Sequence, residues 1–185
     1  AHNLLAAQLS GTNYSYDLTD FSRQALTDYG HQLLASINEA AKSPNEAEAY
    51  AKRRDAYLQL MLDLDELLST NENFMLGRWT NMARGIADEA EGTTEADRQW
   101  LELNNARTLI STWGDENSSE GSGLRDYSYR EWAGMMKDFY YPRWQAFFNN
   151  RDNGKVLPNW FANDWKWAHN ASLSYSDQPT GNTAE

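Results

Sequence analysis

The chain has 185 residues, which is enough for one domain with a substantial apolar core. It carries 27 acidic and 16 basic residues, and the resulting net charge of −11 repels phosphate backbones and argues against nucleic-acid binding, anionic membranes and sulfated glycans. It contains no cysteine, so disulfides, thiolate nucleophiles and cysteine metal sites are excluded.

The first two predicted helices form a pair. The first begins at Asp17, interpreted as its N-cap, and runs over residues 18–42. The second begins with a capping box, in which Ser43 caps, Pro44 takes the first helical position and Glu46 closes the box, and it ends before Asn71. Helical spacing predicts two buried stripes: Leu18, Phe21, Ala25, Tyr29 and Leu33 in the first, and Tyr50, Tyr57, Met61, Leu64 and Leu68 in the second.

Two further helices follow with the same periodicity. The third is predicted over residues 74–90 and ends at Gly92, and the fourth begins at Thr93 or Thr94 and ends near residue 112. Their predicted buried stripes are Met75, Trp79, Met82 and Ile86 in the third and Trp100, Leu103, Ala106 and Ile110 in the fourth.

A polar, acidic loop runs from Trp113 to Tyr127, and a fifth helix is predicted after it. Ser128 and Glu131 form a second capping box, and Tyr127 is placed to act as a hydrophobic staple. Pro142 lies inside the apolar pattern of this helix, so a kink or break is predicted near Tyr140.

The remaining residues are less regular. Residues 160–167 fit a short amphipathic helix, and residues 174–185 are either disordered or tethered elsewhere. The pattern as a whole predicts an all-α protein, an antiparallel helical bundle of about five helices with an aromatic-rich C-terminal extension.

Few residues suggest catalysis. None of the three histidines follows a glutamate by three residues, and no GxSxG motif occurs, so we predict neither metal, cofactor nor a triad nucleophile. Four carboxylates crowd the loop, and a glycosidase needs two: Asp115, Glu116, Glu120 and Asp126. A glycine- and serine-rich loop holds carboxylates poorly for catalysis, so a solvated acidic loop is the favoured interpretation.

Aromatic residues give the stronger signal. The chain has 8 Trp, 10 Tyr and 6 Phe, which fit either core packing or stacking on sugar rings. Trp113 opens the loop and Tyr127 closes it, so both are expected at one end of the bundle.

At these residues the chain resembles the C-terminal region of the α-N-acetylglucosaminidases, glycoside hydrolase family 89. The resemblance covers about residues 14–150 and rests on blocks that occur in the same order. These are YDLTDFSRQA (16–25), FMLGRW with MAR (74–84), NNARTLISTWG (104–114), LRDY (124–127) and AGMMKDFYYPRWQAFF (133–148).

The resemblance implies a division of labour. In this family a small N-terminal domain and a (β/α)8 catalytic barrel precede an all-helical C-terminal domain, and the two catalytic glutamates belong to the barrel. No catalytic residue is therefore expected here. The resemblance assigns Trp113, Leu124 and Tyr127 to a wall of the sugar pocket, with Gly114 and Asp126 in support. The segment between Gly114 and Leu124 looks longer and more polar than in relatives, a departure that bears on Leu124 and not on Trp113 or Tyr127.

We therefore expect an accessory domain that completes the pocket of a retaining glycosidase acting on terminal α-linked N-acetylglucosamine. We expect residues 1–14 to be an N-terminal extension cut from a preceding catalytic domain, residues 15–150 to form the helical domain, and residues 151–185 to form an aromatic-rich extension and tail. The expected partners are the barrel and the glycan. The resemblance implies export to the periplasm or exterior in bacteria and lysosomes in animals. The alternatives are a stand-alone carbohydrate-binding module and a structural domain that packs on the barrel.

Overall fold

Helices account for nearly all regular structure in the chain. The structure, a computed structural model, describes residues 2–7, 9–114, 126, 128–157 and 160–183. Its α-helices in chain order are α1 (His2–Ala6), α2 (Thr12–Ala40), α3 (Ala47–Ser69), α4 (Leu76–Ala87), α5 (Glu95–Leu101), α6 (Tyr141–Asp152) and α7 (Trp160–Ala168). Within those ranges the only strand-like pairing is an isolated bridge between Met75 and Ala133, which confirms the all-α prediction.

Of the predicted buried stripes, that of the second helix agrees best with the structure. It begins with a 3₁₀ turn at Pro44, as predicted, although the Ser43 side chain makes no capping hydrogen bond. The predicted stripe of α3 is buried at Tyr57, Met61, Leu64 and Leu68. These side chains meet residues of the 133–148 segment, where Met135, Phe139 and Phe148 are also buried.

The predicted face of α2 was wrong. The helix begins at Thr12, so Asp17 lies inside it and does not cap it. Of the predicted stripe, only Leu18 and Leu33 are buried; Phe21, Ala25 and Tyr29 are exposed. The reason is that the adjacent side of α2 finds specific polar partners in the interior, which fixes the rotation of the helix.

The predicted faces of α4 and α5 were wrong in part. Met82, Ile86 and Trp100 are all more than half exposed. In α4 the buried side consists of smaller residues, which allow close approach of the neighbouring backbone. In α5 the start is confirmed by a capping box between Thr94 and Asp97, but a π-helical turn over Glu102–Arg107 then changes the angular phase of the residues that follow.

The predicted start of the fifth helix was also wrong. Residues 128–134 are not helical, and the helix begins at Met135. Its first turn is capped from α3, because one oxygen of Asp65 accepts from the backbone N–H groups of Gly134 (2.7 Å) and Lys137 (3.0 Å). A π-helical turn over Met136–Tyr140 precedes α6, which places the irregularity where Pro142 predicted it.

Residues 170–183 are tethered to the helices, which was one of the two alternatives for the tail. The N–H of Thr180 donates to the carbonyl of Ser69, and the Thr183 hydroxyl lies 3.0 Å from that of Thr19 and 2.6 Å from that of Thr70. The predicted short helix at residues 160–167 is present as α7. No helix in the described ranges is long and apolar enough to cross a membrane.

The tail crosses α4 at Gly77, and this contact gives a stability test. A Cβ at Gly77 would lie 2.1 Å from the carbonyl oxygen of Ser176, whereas a Cβ at Gly85 in the same helix would meet nothing within 4 Å. We expect Gly77→Ala to lower the free energy of unfolding by about 1–3 kcal/mol, because the tail must shift. Gly85→Ala should raise it by about 0.5–1 kcal/mol.

Urea unfolding of the two variants measures both effects against the parent protein. Equal stabilities of the two variants would contradict the described path of the tail over α4.

Candidate functional site

The end of the fourth predicted helix carries an exposed tryptophan. After the π-helical turn the chain makes a tight turn, and the N–H of Trp113 donates to the carbonyl of Thr108 at 2.7 Å. Trp113 has φ +26°, a value that non-glycine residues seldom adopt, and Gly114 follows it. The side chain of Trp113 is 41% exposed, so one end of the bundle presents an indole that the adjoining backbone holds in place.

The chain returns from the loop beside the same turn. The N–H of Asp126 donates to the carbonyl of Ser111 at 2.9 Å, and Asp126 also has a left-handed φ of +49°. We call residues 111–114 together with Asp126 the loop mouth. The structure thus places Asp126 beside the turn that carries Trp113 and Gly114. Leu124 and Tyr127 lie outside the described residues, as do Asp115, Glu116 and Glu120.

A partly buried arginine holds the loop mouth to the rest of the domain. Arg143 donates to both oxygens of Asp126, at 2.6 and 3.2 Å, and to Asp164 of α7 at 2.7 Å. Its guanidinium also lies 4.6 Å from the ring centre of Phe139. Asp126 is therefore held by an ion pair, and its supporting role in a sugar pocket stays a prediction. We call Asp126, Arg143 and Asp164 the arginine clamp.

The electrostatics of the clamp favour the charged form of the arginine. Burial by itself lowers the pKa of Arg143, but the hydrogen bonds and charges of Asp126 and Asp164 outweigh it and raise the pKa above its usual value. Sequence reasoning missed Arg143 and Asp164. Their signal was the presence of charged residues inside two aromatic runs, Arg143 in YYPRWQAFF and Asp164 beside Lys166 in WFANDWKW, since a buried charge needs a partner.

A second buried carboxylate secures the segment after Asp126. Glu131 accepts from Arg23 (2.8 Å) and from the hydroxyl of Thr27 (2.8 Å), both on α2. Its side chain is 5% exposed, so the charge is removed from water and depends on these donors. The sequence analysis predicted Glu131 as a local helix cap. In the structure Glu131 joins the segment after Asp126 to α2, which is distant along the chain.

An open cleft of about 320 Å³ lies between α2, α3 and residues 126–144. Three tyrosine hydroxyls, the Trp144 ring and the paired charges of Asp126, Glu131 and Arg143 line part of it. Burial, together with the charge of Glu131, raises the pKa of Tyr57 and Tyr129, so both hydroxyls are neutral donors at ordinary pH. Trp113 and Gly114 do not line this cleft.

The described carboxylates around the loop mouth are poorly suited to acid–base catalysis. Asp126 and Glu131 both neutralise arginines, and neither has a free partner carboxylate to share a proton with. Among the described residues no group of three histidine, aspartate or glutamate side chains is arranged to hold a metal ion. The arrangement presents apolar surface and neutral hydroxyls, which is chemistry for contacting a ligand.

Comparison with known proteins identifies relatives along nearly the whole chain. Residues 2–185 match the family described as "Alpha-N-acetylglucosaminidase (NAGLU) C-terminal domain". The human alpha-N-acetylglucosaminidase is 31% identical over 138 residues, which cover 72% of this chain and 17% of the human protein.

Solved structures show the same fold. A family 89 glycoside hydrolase from Clostridium perfringens, in complex with 2-acetamido-1,2-dideoxynojirmycin, superposes with a TM-score of 0.80 at 27% identity, and the match covers 92% of this chain and 20% of that one. A double Glu→Gln variant of the Clostridium perfringens protein, in complex with its substrate GlcNAc-alpha-1,4-galactose, gives the same values. This chain therefore spans about a fifth of the relatives it matches.

The arginine clamp predicts a large cost for removing Arg143. Arg143→Met strands the carboxylate of Asp164, whose side chain is 5% exposed, and we expect a loss of about 3 kcal/mol in the free energy of unfolding. Arg54 is the matched control, because it also pairs two aspartates, Asp55 and Asp152, but in more exposed positions. Arg54→Met should cost only about 0–1 kcal/mol.

Urea unfolding of both methionine variants provides the comparison. A cost for Arg143→Met no greater than that for Arg54→Met would show that the clamp does not hold the loop mouth.

Proposed function

The chain belongs to the family of α-N-acetylglucosaminidase C-terminal domains, and from this premise we propose that it completes and shields the sugar pocket of a separate catalytic domain. The whole enzyme is a retaining glycosidase that removes terminal α-linked N-acetylglucosamine, with its two catalytic glutamates in a (β/α)8 barrel. The chain's share of its relatives, about 17–20% of their length, supports such a division.

The main observation behind this proposal is the exposed indole of Trp113. It belongs to the loop mouth, which hydrogen bonds and the arginine clamp hold to the rest of the domain. An aromatic face against a sugar ring buries apolar surface and excludes water from a charged transition state. That role requires a side chain whose position does not drift, and the left-handed backbone at Trp113 and Asp126 with the arginine clamp provides such fixation.

The resemblance extends the pocket wall to Leu124 and Tyr127. In the proposal Leu124 adds apolar surface, and the hydroxyl of Tyr127 bonds a sugar hydroxyl or the acetamido group. Gly114 provides the turn after the indole, and Asp126 fixes the loop by its pairing with Arg143.

The charge of the domain supports a neutral substrate. A net charge of −11 beside the pocket repels sulfated chains, whereas it leaves a neutral sugar unaffected. The Clostridium perfringens relative has a neutral disaccharide, GlcNAc-alpha-1,4-galactose, as its substrate. We therefore propose neutral glycans that end in α-linked N-acetylglucosamine. Export from a bacterial cell, or a lysosomal location in an animal one, stays a prediction.

The indole predicts a specific loss of activity. In the full-length enzyme Trp113→Ala should lower kcat/KM on p-nitrophenyl α-N-acetylglucosaminide by about ten- to a hundredfold, since burying an aromatic side chain is worth about 1.5–3 kcal/mol. Trp113→Phe keeps a flat ring and should lose less. The control is Trp100→Ala, which removes another exposed tryptophan from the far end of the same helical segment.

Measurements of kcat/KM and of thermal stability together distinguish a pocket-wall role of Trp113 from a purely structural one. Equal kcat/KM for Trp113→Ala, Trp100→Ala and the parent enzyme would refute the pocket wall, and a loss of thermal stability with unchanged kcat/KM would favour the purely structural alternative.

The division of labour predicts that residues 1–185 alone are inactive. The full-length enzyme should hydrolyse the p-nitrophenyl substrate, and the isolated chain, once circular dichroism shows it to be helical, should not. Hydrolysis by the isolated chain would place catalytic carboxylates here and draw attention to Glu116 and Glu120. Binding of N-acetylglucosamine by the isolated chain without hydrolysis would favour the carbohydrate-binding module.

A further inference from the structure

An aromatic face on α2 points away from the interior. Phe21, Ala25 and Tyr29 are four residues apart, so their side chains lie above one another on one side of the helix. Phe21 is 55% and Tyr29 49% exposed, and Ala25 is exposed as well. We call these three residues the outer face of α2. A contiguous apolar stripe of this kind on a surface commonly marks an interaction site.

The exposure is enforced by polar groups on the inner side of the same helix. The hydroxyl of Thr19 is fully buried and bonds Thr183, while Arg23 and Thr27 both donate to Glu131. Rotating α2 to bury the outer face would leave the carboxylate of Glu131 buried without donors, which costs several kcal/mol. The inner side of α2 therefore combines these polar residues with the buried Leu18 and Leu33, while Phe21 and Tyr29 stay outside.

Another exposed apolar pair gives a comparison. Met82 and Ile86 on α4 are 59% and 56% exposed, and Arg84 of that helix also pairs with a buried carboxylate, that of Glu102 at 2.9 Å. What distinguishes α2 is that its carboxylate partner, Glu131, belongs to the segment that follows Asp126. Met82 therefore serves as an internal reference for a site that stays open to solvent.

The outer face of α2 is connected to the loop mouth. The carboxylate of Glu131 accepts from the hydroxyl of Thr27 and lies 3.4 Å from the hydroxyl of Tyr129. The backbone N–H of Tyr129 in turn donates to the carbonyl of Asp126. A partner that covers α2 is thereby linked through a short series of contacts to the residues that hold Trp113. Exposed Asp17 and Asp28 border the stripe, so a complementary surface is apolar with a basic rim.

We propose that the outer face of α2 is the surface on which the catalytic domain of the same polypeptide docks. This inference rests on the proposed function, because it takes the catalytic domain as the partner. The relatives supply the reason for choosing it, since about four fifths of their length lies outside the matched region. Docking here orients the loop mouth toward the sugar pocket through the contacts of Glu131.

Cysteine labelling of the full-length enzyme tests the docking. The chain has no cysteine of its own, so Phe21→Cys, Tyr29→Cys and the reference Met82→Cys each give one identifiable labelled peptide. In the folded enzyme a maleimide should modify positions 21 and 29 about tenfold or more slowly than position 82. In urea all three rates should become equal. Equal rates in the folded enzyme would overturn the proposal.

A second measurement removes the dependence on variants that could fail to fold. Hydroxyl-radical footprinting of the unmodified enzyme should show Phe21 and Tyr29 protected and Met82 oxidised. Protection that disappears on dilution would point to a second copy of the chain and would also overturn the proposal. Protection together with an unchanged kcat/KM for Trp113→Ala would keep the docking surface and reject the pocket wall, so the two proposals fail separately.

Discussion

The structure around the loop mouth depends on one guanidinium, that of Arg143, which two carboxylates share. Arg143 bonds Asp126 at the loop mouth and Asp164 on α7, and it rests against an aromatic ring of its own helix. Because three segments meet at this one cation, the position of Asp126 is set by residues of α6 and α7. Charge buried in this way specifies an arrangement more than it stabilises one, since an apolar substitute would pack without direction.

Contacts between an arginine and a segment distant along the chain recur elsewhere in this acidic domain. Arg23 secures Glu131, and Arg107 bonds Glu102 and the carbonyls of Asn170 and Leu173 in the tail. In each case an arginine from a helix ties down backbone that has no helical hydrogen bonds. With few basic residues in the chain, the buried ones are placed where segments distant in sequence must meet.

The sequence analysis predicted the buried face of a helix where local periodicity sets it, and failed where residues distant along the chain set it. The stripe of α3 could be predicted because it packs mainly against apolar side chains of residues 133–148, so periodicity alone identifies the buried face. The face of α2 could not, because its rotation is set by Glu131, 104 residues away from Thr27. The assignment of Trp113, Leu124 and Tyr127 to a pocket wall came from the resemblance and stays a prediction. The arginine clamp was missed because a charge inside an aromatic run indicates that a partner is needed but does not identify that partner.

The path of the tail has a consequence for the order of folding. The hydroxyl pair of Thr19 and Thr183 joins residues 164 positions apart, and Thr180 bonds the end of α3. The helical hairpin of α2 and α3 therefore leaves the ribosome long before the residues that complete its polar contacts. Contacts of such separation form late and slow the final step of folding. Until synthesis reaches the tail, the Thr19 hydroxyl can bond only within its own helix, to the carbonyl of Ser15.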